Sequence, residues 1–180
     1  MRQFEFFPEI TIKKVSSRGN FQKFIIVTLA TQISSMTRFA LAKLLAKKFD
    51  ISVRSAYEHV SVELTKCLIP KGIVEENGYL PAIRGPRVVQ EHGTTCYRLT
   101  RLGMLIASTI DDISIDEKKH LLQRYMNSKD LGRAEAELRE ELMNNFQRYP
   151  EFTLELVKRA VYEFLDGRSD HPLDYIRKMR

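Results

Sequence analysis

The residues best suited to chemistry lie in one short run: Ser52, Arg54, Ser55, Glu58, His59 and Val62. Positions three and four apart share a helical face, so these side chains are expected together on one surface if the segment is a helix. A guanidinium there can donate two parallel bonds to O6 and N7 of guanine, a carboxylate can accept from N4 of cytosine, and a valine can meet a thymine methyl. Hydroxyls at Ser52 and Ser55 suit phosphates or base edges. Lys43, Lys47 and Lys48 precede the run, and Arg84 and Arg87 flank Gly85-Pro86 further on, cations of the kind that hold phosphates or enter a minor groove. The candidate nucleic-acid surface is therefore Lys43, Lys47, Ser52, Arg54, Ser55, Glu58, His59, Val62, Arg84 and Arg87. Glu58 is the discordant member. It repels phosphate from the centre of the face, lowering general affinity while adding a specific acceptor. For each charge the plain alternative is a solvated surface group, as it is for His59.

Other chemistries find little support. Cys67, His92 and Cys96 have neither C-x-x-C nor H-x-x-x-H spacing and no evident fourth ligand, so no metal site is expected, and Cys67 falls on an apolar face as a core residue would. There is no phosphate-cradling glycine loop, no nucleophile elbow and no carboxylate pair that spacing alone would unite. Asp111-Asp112 reads as solvated charge at a helix end. The expectation is a non-enzyme without cofactors.

Composition sets the frame. The chain has 180 residues, 43% hydrophobic and 29% charged, enough for a real core. Its two cysteines cannot make a disulfide framework and suit a reducing compartment. The N-terminus MRQFEFF lacks the basic start and apolar stretch of a secretory signal, and no apolar run is long enough to span a bilayer, so a cytoplasmic protein with no membrane partner is expected. The net charge of +6 divides unevenly, at +8 over residues 1–110 and −2 over 111–180. The basic part suits an anionic partner and the rest something else.

The elements that must position the candidate surface follow from periodicity and caps. Residues 1–20 alternate at Ile10 and Ile12 and form an extended arm, lying either on the protein's own core or across a second subunit. Asn20 caps a helix over Phe21–Ile33, although the run Ile25-Ile26-Val27-Thr28 also permits a strand. Thr37 caps a helix over Arg38–Phe49 with Leu41, Leu44, Leu45 and Phe49 on one face. Asp50-Ile51 is a short turn, and Ser52 caps a longer helix reaching about Leu68, with Val53, Ala56, Val60, Leu64 and Cys67 turned inward and Tyr57 at the border. Pro70 and Gly72 end it. Strands are expected at Ile73–Glu76 and Thr95–Leu99, separated by a long Gly/Pro-punctuated loop from Asn77 to Thr94. Thr100 caps a helix over Arg101–Ile110.

Beyond Asp111 all is helical: Leu121, Leu122, Tyr125 and Met126 share a face, then Leu131, Ala134, Leu138, Leu142, Phe146 and Tyr149, then Leu156 to Leu165, and a short last helix near Leu173–Met179. Each stripe needs a covering surface, and dimerisation is the leading expectation over packing on the preceding domain.

The order helix, tight turn, longer helix, two-stranded ribbon over Gln22–Ile110 resembles the winged helix-turn-helix of DNA-binding regulators, the MarR-like and PadR-like kinds. The residues that carry the resemblance are LAKLLAKKF, S-x-R-S-x-Y-x-H, K-G-I-V and Y-R-L-T-x-x-G. It weakens after Val60, where this helix runs about a turn longer. The resemblance implies a mainly α fold with a small antiparallel β wing, a winged helix domain over 21–110 and a dimerising helical region over 111–180. It implies sequence-specific binding of double-stranded DNA by a homodimer, as a transcriptional repressor acting by occlusion, with any effector bound between the two regions. A replication or partition role on a mobile element shares these features, and a protein-interaction module with a protein partner is the alternative of a different class.

Overall fold

The computed structural model describes residues 17–32, 34–81, 92–127 and 133–178. The expected arm up to residue 16, and Arg84 and Arg87 with their Gly-Pro turn, lie outside the described residues. The protein is mainly helical with one small antiparallel sheet, and it separates into two compact units that divide at Thr100 and Arg101. No helix among the described residues is long and apolar enough to cross a membrane.

The first unit begins with α1 (Ser17–Thr31), which starts ahead of the expected Asn20 cap, so residues 17–20 are helical rather than extended. Its β-branched run is helical too. Ile25, Ile26 and Leu29 are buried in the core, and that burial outweighs a modest β preference. A two-residue strand, β1 (Met36–Thr37), leads directly into α2 (Arg38–Phe49). Thr37 caps α2, its hydroxyl accepting from Ala40 N at 3.2 Å. Leu41, Ala42, Leu45 and Ala46 are buried, whereas Leu44, expected on the same face, is 38% exposed. Phe49 meets Phe21 edge to face, ring centroids 4.9 Å apart, and Phe24 at 5.7 Å, so the end of α2 is clasped by α1.

Asp50 then adopts the left-handed conformation (φ 52°), which ends α2 and turns the chain sharply before Ile51. Ser52 caps α3 (Val53–Glu63), accepting from Ser55 N at 3.1 Å. The helix continues through a π-helical turn, Leu64–Leu68. The wider turn shifts the register, so Leu64, Cys67 and Leu68 are all buried.

The same turn completes a buried polar cluster. Glu63, 4% exposed, accepts from Arg18 Nε at 2.8 Å and from Gln22 Nε2 at 2.6 Å. Gln22 Nε2 also approaches Cys67 Sγ at 3.4 Å. Burial pushes the Cys67 thiol above its ordinary value, with Lys71 opposing, so it remains protonated.

The expected two-stranded ribbon is a three-stranded sheet of order β1-β3-β2, formed with β2 (Val74–Leu80) and β3 (Thr94–Leu99). Val74 pairs with Leu99 and Leu80 with Thr94, so β2 does not stop at Glu76. Asn77-Gly78, the dipeptide that reads as a turn, makes a bulge between Glu76 and Tyr79, with Gly78 at φ 73°. Asn77 Nδ2 donates to Ser35 Oγ at 2.5 Å, which ties the bulge to the segment before β1. At the base of the hairpin the Thr100 hydroxyl donates to the carbonyls of Gly72 and Ile73.

The second unit holds α4 (Arg101–Ala107), α5 (Ile115–Met126), α6 (Arg133–Arg148), α7 (Pro150–Leu165) and α8 (Asp174–Lys178). α4 is shorter than expected because Ser108 and Thr109 follow it in a turn, their hydroxyls donating back to Leu105 and Ile106 carbonyls at 2.7 Å. A capping box at Ser114 and Glu117 starts α5. The apolar stripes of these helices converge: Leu105, Leu122, Tyr125, Phe146, Val157 and Leu173 line one shared crevice. Of the stripe residues, Leu121, Leu122, Leu138, Leu142, Phe146 and Val157 are buried, whereas Tyr149 is 63% exposed and Leu131 lies outside the described residues. Spacing shows that a face is buried, not what buries it.

Candidate nucleic-acid interface

α2 and α3 place the described candidate residues on one unit. α2 carries Arg38, Lys43, Lys47 and Lys48 and no acidic residue. The three lysines are exposed, while Arg38 is drawn inward, donating to the buried Tyr97 hydroxyl at 2.8 Å. Lys43 Nζ lies 4.8 Å from the centroid of the Phe39 ring, itself 50% exposed. A cation lying on an exposed ring keeps its charge available to solvent and is held in place by its stem.

On α3 the side chain of Arg54 is 92% exposed, in the first turn of the helix. Glu58 follows one turn later and its carboxylate is 3.6 Å from Arg54 Nε. Such an exposed pair is weak, so the guanidinium is guided rather than locked. Ser52 uses its hydroxyl oxygen as the cap acceptor, leaving the hydroxyl proton as a donor toward an approaching anion. Ser55 is half-buried beside it. His59 points to one edge of the helix, where its ring lies 4.6 Å from that of Phe21, apart from the Arg54–Glu58 line. Val62 is 40% exposed.

One residue expected inward and one expected at the border are both well exposed. Val53 is 42% exposed and Tyr57 is 40% exposed. Val53 shares the wheel position of Val60, which is fully buried, but it stands about 10 Å away along the axis, in the first turn of the helix. The wheel records angle and not height. Tyr79 and Leu80, near the end of β2, are 64% and 50% exposed.

Among the described residues no group of three His, Cys, Asp or Glu side chains converges in a way that holds a metal ion. The crevice in the second unit is lined mainly by apolar side chains. No protein-family model, curated protein or solved structure matches the chain.

Proposed function

We propose that the chain is a winged helix protein that binds double-stranded DNA in a sequence-specific manner, with α3 as the recognition helix and the β2–β3 hairpin as the wing. The observation that carries this reading is Arg54, 92% exposed in the first turn of a capped helix that follows α2 across a tight left-handed turn. A helix-turn-helix presents that position to base edges in the major groove while the preceding helix and the wing lie along phosphates. The acid-free α2 with exposed Lys43, Lys47 and Lys48 supports the phosphate role. The regulatory role follows as a dimeric, cytoplasmic repressor acting by occlusion, two half-sites about 34 Å apart matching a two-fold dimer. Most described stripe residues of the second unit are buried, so the dimer contact falls to exposed residues such as Tyr149 and Phe152, which are 63% and 67% exposed.

The test is equilibrium binding to labelled random duplex over a salt series from about 50 to 200 mM, beside Arg54→Ala. The reading expects a steep fall with salt and weaker binding by the variant. No binding at the lowest salt overturns it. A second reading, a protein-interaction module, is favoured by the exposed Val53, Tyr57 and Val62 and expects indifference to both salt and Arg54→Ala.

A further inference from the structure

The outward side of α3 is more apolar than phosphate binding requires. At 3.6 residues per turn, Arg54 and Glu58 form a central ridge, with Tyr57 and then Val53 on one flank and Val62 on the other. All three flanking side chains are at least 40% exposed. The ridge itself is nearly neutral, because Arg54 and Glu58 approach to 3.6 Å. Attraction for a polyanion is thus concentrated on α2, and α3 contributes one guanidinium set between apolar shoulders.

The major groove offers one apolar group on its base edges, the C5 methyl of thymine. A guanidinium aimed at guanine with an apolar shoulder on either side fits a step in which thymine adjoins that guanine. We infer that α3 selects thymine by its methyl group, Val62 meeting a methyl on one side of the Arg54 contact and Tyr57, backed by Val53, meeting one on the other. This rests on the DNA-binding reading and specifies the DNA it takes. Glu58 lies within 3.6 Å of Arg54 and biases the guanidinium only weakly. Covering a methyl in an apolar contact is worth roughly fourfold in affinity, so two such contacts give about 15-fold.

The experiment uses the full chain. A duplex pool with a randomised centre is enriched for binding, and the enriched duplex is synthesised with thymine or with deoxyuridine, which pairs identically but lacks the methyl. The thymine form should bind about 15-fold tighter, and Tyr57→Ala/Val62→Ala should bring the ratio close to one while leaving the salt dependence of binding unchanged. Both side chains are exposed, so circular dichroism of that variant should match the parent. Arg54→Ala should weaken both duplexes and preserve most of the ratio. Equal binding of the two duplexes overturns the methyl inference and leaves DNA binding standing. A ratio that survives in Tyr57→Ala/Val62→Ala overturns it as well, since the preference then resides in the DNA. Failure of both duplexes to bind at low salt overturns the DNA-binding reading, and this inference falls with it.

Discussion

Replacing Glu63 by Ala tests whether the buried polar cluster sets the position of α3 on α1. The carboxylate is 4% exposed and accepts from Arg18 at 2.8 Å and Gln22 at 2.6 Å. The two bonds are unequal. Gln22 is 1% exposed, so losing its acceptor leaves a buried amide donor with only the Cys67 sulfur at 3.4 Å, whereas the Arg18 side chain is 46% exposed and recovers water. A hydrogen bond to a buried charge contributes about 1.5 to 3 kcal/mol, and a half-exposed ion pair under about 1 kcal/mol. Glu63→Ala should therefore cost about 3 kcal/mol, of which coupling to Arg18, read by a double-mutant cycle with Arg18→Ala, supplies at most about 1 kcal/mol. Hydrogen exchange resolved to α1 peptides is the suitable assay, because it reads local opening in a chain of two units. A Glu63→Ala loss below about 0.5 kcal/mol, or an Arg18–Glu63 coupling equal to the whole Glu63→Ala loss, refutes the reasoning.

Three further outcomes follow from the same geometry. Ser52→Ala removes the cap acceptor of Ser55 N and should destabilise α3 by about 1 kcal/mol, seen as faster exchange at its first turn and as weaker DNA binding with unchanged salt dependence. Gly93→Ala should cost more than about 2 kcal/mol of hairpin stability, since the added Cβ would lie 2.7 Å from Leu80 O at φ 80°; urea melts against a Gly72→Ala control, which meets no atom within 4 Å, check it. Cys67 is raised by burial, so its favourable contribution is complete below the unfolded thiol value of 9.0 and is lost as pH rises from there through the folded value. Stability measured from pH 8 to 10.5 should fall less in Cys67→Ala than in the parent.

What could be read in advance was what depends on neighbours in sequence. The Thr37 and Ser52 caps, the Asp50 break and the outward Arg54 are each decided within about one helical turn. Non-local events were not legible. Met36–Thr37 is a strand only because β3 lies beside it, and Asn77-Gly78 is a bulge instead of a turn because Tyr79 and Leu80 find partners in Thr95 and Thr94. Glu63 gave no signal as a buried anchor, since its partners lie 41 and 45 residues away.

The candidate surface divides along the same line. Residue type alone shows which side chains could meet a base or a phosphate, and spacing alone puts Arg54, Glu58 and Val62 on one helix face, because helical angle depends only on spacing. The exposure of Val53 and Tyr57, the turn of His59 toward Phe21 and the burial of most described stripe residues of the second unit were set by tertiary packing. Burial depends on what stands opposite a face and how far it extends, and neither quantity is written in the periodicity of the buried segment.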